Sequence, residues 1–156
     1  MARRSVIKKR YPKVDPIFNS TLVSLFGARI LKSGKKRLAN KIIEEAFAIV
    51  EDKTQTNPIE IFEKAVQKTT PMLEVKARRI GGSTYQVPLE VNQYRGVTLA
   101  LRWIIKAAKD RSGRTLSFKL ANEIIDASNG IGNAIRKREE THRMAEANKA
   151  FAHFRY

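Results

Sequence analysis

This chain predicts a mainly α-helical domain of six helices with one protruding two-stranded antiparallel β-ribbon, and three observations carry that prediction. Apolar residues recur at helical spacing in five stretches, with a sixth, charged helical stretch after Gly132; strict alternation with period two occurs only over residues 72–91, and a Gly81-Gly82 pair divides that alternating stretch. A length of 156 residues is enough for one core without a metal or disulfide to hold it. The absence of cysteine excludes a disulfide framework, a thiolate zinc site and a cysteine nucleophile.

The expected organisation is a basic N-terminal arm over residues 1–19, a single helical domain over 20–150 that carries the ribbon at 72–91, and an aromatic-basic tail over 151–156. In the arm Arg3, Arg4, Lys8, Lys9, Arg10 and Lys13 face only Asp15, and Pro12 and Pro16 oppose regular helix. Its first ten residues lack the apolar stretch of roughly 7–15 residues that a secretion signal needs. No apolar run approaches the ~20 residues needed to cross a bilayer, so a soluble intracellular chain with no membrane partner is expected.

Ser20 is a candidate N-cap for the first helix, whose apolar positions Leu22, Val23, Phe26 and Ile30 share a face until Ser33-Gly34. A second helix follows closely with the stripe Leu38, Ile42, Ala46, Ile49 and Val50. The junction exposes Gly34-Lys35-Lys36-Arg37, and three cations at a helix start oppose the macrodipole, a cost that an external anion would relieve. Asn57-Pro58-Ile59-Glu60 combines an N-cap, a proline at the first helical position and a capping-box glutamate, ahead of Ile61, Phe62, Ala65 and Val66.

After Thr69-Thr70-Pro71 the period changes to two. Leu73, Val75 and Ala77 share one side of a strand and Glu74, Lys76 and Arg78 the other; beyond the glycines, Tyr85, Val87, Leu89 and Val91 alternate with Thr84, Gln86, Pro88 and Glu90. An isolated hairpin is marginal in water, so its base must lean on the helices, with the end from Lys76 to Tyr85 projecting as a cationic arm.

The fourth helix carries Val97, Leu101, Ile104 and Ala108 on one face and Ala100, Trp103 and Ala107 on the next, a width that predicts deep burial. A fifth follows Ser112-Gly113 with Leu116, Leu120, Ala121, Ile124 and Ile125, and ends at Asn129-Gly130; Arg111, Arg114 and Lys119 border its start. The last helix, from about Asn133 to Ala150, shows no continuous apolar stripe, so neighbours or a ligand must hold it.

Catalysis finds little support. No phosphate-cradling glycine loop follows a strand, and Gly130-Ile131-Gly132 reads as a turn between helices. His142 and His153 lie too far apart along a helix to share a metal with Glu139, Glu140 or Glu146, and Glu139 and Glu140 are expected to pair with Arg136 and Arg143. Neither metal, cofactor nor small-molecule substrate is implied. Binding fits better: 31 Lys and Arg against 15 Asp and Glu give a formal charge of +16 and a pI near 10.4, the footprint of a polyanion binder. Tyr85, Phe151, His153, Phe154 and Tyr156 interleave with cations in the pattern that stacks unpaired RNA bases, whereas Trp103, Phe26 and Phe62 sit on core stripes.

The hairpin string Val75-Lys-Ala-Arg-Arg-Ile-Gly-Gly-Ser-Thr-Tyr-Gln-Val-Pro88, the Gly34-Lys-Lys36 turn followed by Ile42-Ile43 and Ala46, and the run from Lys137 to Phe154 resemble the small-subunit ribosomal protein seven family over essentially the whole chain. The resemblance implies a six-helix domain with a protruding ribbon that binds the 3′ major domain of small-subunit rRNA and nucleates assembly of the subunit head. It further implies a place at the subunit interface beside the exit-site tRNA and mRNA path, with head and platform proteins as neighbours. On that basis Arg3, Arg4, Arg10, Lys35, Lys36, Arg37, Lys76, Arg78, Arg95, Arg111, Arg114 and Arg138 are expected rRNA contacts. Arg79, Gly81, Gly82, Arg143 and Lys149 are expected at the exit-site surface. The wording from Asn133 to His142 and an end at Tyr156 suit bacterial and plastid members, so bacterial cytoplasm and plastid stroma both remain open.

Two other readings compete. A basic two-stranded arm on a helical body suits an architectural DNA-binding protein, although Gly81-Gly82-Ser83 offers no apolar wedge and only Ile80 lies near. An RNA hydrolase would rest on His142 with Glu139.

Overall fold

The computed structural model describes residues 12–155; Arg3, Arg4 and Arg10, with Lys8, Lys9 and Tyr156, lie outside the described residues. In chain order the elements are α1 (Thr21–Ile30), α2 (Lys36–Thr54), α3 (Pro58–Thr69), β1 (Leu73–Ile80), β2 (Ser83–Glu90), α4 (Gln93–Asp110), α5 (Leu116–Asn129), α6 (Asn133–Ala147) and a C-terminal 3-10 segment (Lys149–Arg155). The architecture is thus mainly helical with one antiparallel ribbon.

α5 occupies the centre, in contact with α2, α3, α4 and α6. Leu120, Ala121, Ile124 and Ala127 on it are fully buried, and α4 contributes a broad buried surface through Ala100, Leu101, Ile104, Ile105, Ala107 and Ala108. Phe26, Phe47 and Phe62 join α1, α2 and α3: the Phe26 and Phe62 ring centroids are 4.8 Å apart and those of Phe47 and Phe62 5.5 Å. Trp103 packs against this core from its edge.

Helix starts divide into capped and uncapped. Asn57 accepts from the Ile59 N–H at 3.0 Å with Pro58 at the first position, and Thr115 accepts from the Phe118 N–H at 3.3 Å. Ser20 makes no side-chain cap to α1, which ends at Ile30, ahead of the Ser33-Gly34 stop expected for it. The buried face of α2 is Ala39, Ile43, Ala46, Phe47 and Val50, one residue out of phase with the expected stripe at its start, so that Leu38 is 53% exposed. Leu38 and Ile42 mimic a helical repeat equally well; packing of α2 against both α5 and α1 selects the face bearing small Ala39.

Gly81 (φ 56°) and Gly82 (φ 90°) form a two-residue turn with both residues left-handed, the geometry whose twist suits a tight hairpin and which only glycine adopts without strain. Opposed residues of an antiparallel pair share a face, and the register sets Leu73 against Glu90, Val75 against Pro88 and Ala77 against Gln86. The apolar side of each strand therefore lies with the polar side of the other. Both faces are mixed and both are used: Leu73, Pro88 and Glu90 line a cleft with α6, while Tyr85 and Arg78 meet the C-terminal segment. That support reaches further out than the helical body alone, since Tyr85 lies 5.2 Å from Phe151 and 5.5 Å from Phe154, ring centroid to centroid. Only the tip from Gly81 to Thr84 is continuously exposed.

α6 stops at Ala147, and its buried positions Ala134, Ile135, Thr141 and Ala145 form a narrow stripe completed by half-buried Arg138. Its start is held from outside. Gly132 supplies no side chain, and the fully buried Glu123 of α5 accepts the Ala134 N–H at 2.9 Å. A Cβ at Gly132 would lie 2.7 Å from Glu123 Oε1, so glycine is what lets the two helices approach.

Candidate nucleic-acid interface

Cations gather first at the α1–α2 turn. Lys35, Lys36 and Arg37 are exposed and enter no ion pair among the described residues. No side chain caps the start of α2 and no acidic residue lies in its first turn, so three positive charges stand at the positive end of the helix dipole. Self-repulsion there makes the turn a receptor for anions.

At the α4–α5 corner Arg111 faces inward and Arg114 outward. Arg111 Nε donates to buried Glu123 and Nη2 to Asp126, each at 2.5 Å. Burial lowers the Arg111 pKa, but the two carboxylates outweigh it and the net shift is upward. Arg111 thereby fixes the corner on which exposed Arg114 is displayed, and its own guanidinium has carboxylate partners.

On the ribbon, Lys76 and Arg79 are exposed and unpaired among the described residues, whereas half-buried Arg78 donates to the Phe154 carbonyl at 3.4 Å. Arg95, at the ribbon base, holds both Glu74 oxygens at 2.8 and 2.9 Å, and its hydrogen bond to Glu74 raises its pKa. Gly81 and Gly82 at the tip are open to solvent. Phe151 and Phe154 stack nearly parallel, Tyr85 meets both at a tilt, and the His153 and Phe154 ring centroids are 3.9 Å apart; these aromatics brace the ribbon rather than stand free.

Along α6, Arg143 is exposed, and Lys149 just beyond it lines a cleft of about 450 Å³ with the ribbon base. Arg138 is different: its guanidinium donates to the Lys68 carbonyl near the end of α3 and approaches Glu139 at 3.5 Å, tying α6 to the body. Glu140 pairs with Lys137 at 2.8 Å, which lowers its pKa, and not with Arg136 or Arg143 at ion-pair distance.

His142 Nε2 accepts the Met72 N–H at 3.1 Å, so the neutral ring joins α6 to the ribbon base. Burial, aided by Arg138, depresses its pKa below the ordinary 6.5. The unfolded chain therefore takes up this proton first as pH falls. Stability from His142 is complete above its unfolded pKa and is lost as pH drops towards the depressed folded value. Urea melts between pH 7.5 and 5.5 should show the wild type losing more stability than His142→Gln, which retains an acceptor but does not titrate; parallel profiles would contradict the assignment.

No group of three or more His, Asp or Glu is placed to hold a metal among the described residues. The described candidates form three sets, at the α1–α2 turn, at the α4–α5 corner, and along the ribbon with α6 and Lys149. One cationic feature is not among the residues expected from sequence: Arg95, Arg102, Lys106 and Lys109 are exposed at i, i+7, i+11 and i+14 of α4, opposite its apolar face, and of these only Arg95 was anticipated. That spacing was a signal available in the sequence.

Residues 2–149 match the family model described as ribosomal protein S7p/S5e. The chain is 59% identical to the small ribosomal subunit protein uS7 of Gloeothece citriformis and 58% identical to that of Synechocystis sp., in both cases over all 156 residues and the whole of each relative. The protein of the same name from Trichormus variabilis is 57% identical over the same full span. With its helical body, its single ribbon and this agreement along nearly its entire length, the chain belongs to the ribosomal protein S7p/S5e family.

Proposed function

We propose that this chain is a structural constituent of the small ribosomal subunit, a primary binder of the 3′ major domain of its rRNA that nucleates assembly of the subunit head. The observation that carries the reading is the unneutralised cationic turn Lys35-Lys36-Arg37 at an uncapped helix start, set in a chain of net charge +16 whose relatives are named as small-subunit proteins. Phosphates would fix RNA there and at Arg114, Lys76 and the α4 stripe, releasing counterions and positioning RNA helices that meet at a junction. Arg95, Arg111, Arg138 and Arg78 have protein partners, so their part is to hold the binding surface in shape while offering their outer edges. Arg3, Arg4 and Arg10 add contacts from the N-terminal arm.

The reading extends to a second surface. Arg79, Gly81, Gly82, Arg143 and Lys149 would border the exit-site tRNA and mRNA path at the subunit interface, with head and platform proteins nearby. The protein acts without catalysis or cofactor, on ribosomes of bacterial cytoplasm or plastid stroma. The DNA-architectural alternative gains nothing from the ribbon, whose tip presents glycines and whose Ile80 is half-buried.

Deleting Arg79 to Thr84 and joining Arg78 to Tyr85 by a short turn tests the division of labour. Tyr85 and Arg78 keep their contacts with the C-terminal segment, so thermal melting and affinity for a 3′-domain transcript should persist. Reading-frame maintenance or tRNA release in reconstituted subunits should change. Loss of the folding transition would show that the tip belongs to the core.

A further inference from the structure

A groove of about 490 Å³ runs between residues 12–16 and the facing sides of α1 and α2. Its walls are largely apolar, and Val14 and Leu31 present exposed side chains to it. Gly27 keeps the floor low, since even a Cβ there would sit 3.4 Å from Ile43 Cδ1. Two half-buried polar side chains, Ser24 and Asn40, line the groove without a side-chain hydrogen bond to any described residue. The Asn40 amide thus has both donor and acceptor capacity to offer.

Charge selects the occupant. Lys13 and Lys36 line the groove, and Lys32, Lys35 and Arg37 are exposed beside it in sequence. Asp15 is the single acid of the lining, and its carboxylate already accepts the Ile17 and Phe18 N–H groups at 3.1 Å. An apolar slot with a free amide inside and a cationic mouth matches a base whose faces meet aliphatic walls, whose polar edge meets the amide and whose phosphate meets the cations. Apolar peptide would leave the cations and the amide unsatisfied.

We propose that this groove receives one unpaired RNA nucleotide, with its base between Leu31 and the Gly27 floor, its edge on Asn40 and its phosphate beside Lys36. The inference rests on the proposed rRNA binding and adds to it a base contact at a surface otherwise given over to phosphates. Base contacts carry sequence information that phosphate contacts lack.

The test compares the full chain with Ala28→Phe, which fills the groove from its exposed rim, and with Asn40→Ala. Binding to a 3′-domain transcript and to a generic RNA duplex of equal phosphate count is measured at physiological salt. Each variant should lose roughly tenfold on the transcript and nothing on the duplex, with the salt slope and melting temperature unchanged. Wild-type affinity retained by both variants would overturn the slot while leaving rRNA binding intact. Equal losses on both probes would overturn it too, reducing the groove to part of a charged surface. A wild type with no preference for the transcript would overturn the slot and the rRNA reading together. A fall in the free protein's melting temperature with Ala28→Phe, abolished by deleting residues 2–10, would assign the groove to the chain's own N-terminal segment and so overturn the nucleotide.

Discussion

Replacing Lys35, Lys36 and Arg37 together with alanine is expected to weaken binding to a 3′-domain transcript by about a hundredfold at physiological salt. The slope of log affinity against log salt should fall by about three, one for each phosphate that no longer meets a cation. Stability should stay level or rise slightly, because the three cations oppose the α2 dipole and no carboxylate among the described residues pairs with them. Residues that cost the free protein stability and contribute only when an anion arrives are hard to explain as parts of the fold. Electrophoretic or filter-binding titrations with parallel thermal melts would decide it; unchanged affinity would remove the turn from the interface.

Glu123→Ala is expected to cost about 3–5 kcal/mol, since it breaks a buried ion pair from one side. Three things fail together: Arg111 loses its buried partner, the Ala134 N–H loses its acceptor, and the space against Gly132 is emptied. For a chain of this size each kcal/mol lowers the melting temperature by about 2–4 °C. Glu123→Gln should cost less, because an amide oxygen can still accept from Ala134 while the charge on Arg111 is only partly compensated by Asp126. Circular-dichroism melts measure both. A loss below ~1 kcal/mol for the alanine variant would mean that the α4–α5 corner and the start of α6 are held by something else.

Much of this structure is legible in the sequence, because helices with wide apolar faces and one alternating stretch leave few alternatives. Asn57-Pro58 and Asn129-Gly130 mark their boundaries through local backbone chemistry, which needs no tertiary information. What was not legible depends on partners distant in sequence. The face of α2 is set by which side α5 and α1 cover, and periodicity at Leu38 and Ala39 cannot choose between them. The α6 stripe is hidden because Arg138 and Thr141 occupy it, each bonded to a main-chain carbonyl.

The ribbon register follows the same logic: alternation on each strand is visible, but which faces coincide is fixed by the two-residue turn. At the candidate interface, exposed cations such as Lys35 and Arg114 can be picked out by their position at element ends. Arg111 and Arg95 share that signature, yet carboxylates brought close by folding engage them. Glu123 carried a sequence signal after all, standing at i+3 from Leu120 and i−4 from Ala127 within an otherwise apolar stripe.

The most direct test of rRNA recognition is a salt-dependent titration of the full chain against a small-subunit 3′-domain transcript and against duplex DNA of equal phosphate count. Engagement of roughly 6–10 phosphates predicts an affinity that falls by about 10³–10⁵ between 50 and 200 mM salt, with a preference for the transcript that survives at physiological salt. Curves for RNA and DNA that run parallel and collapse together, or a slope of only about one or two charges, would contradict it.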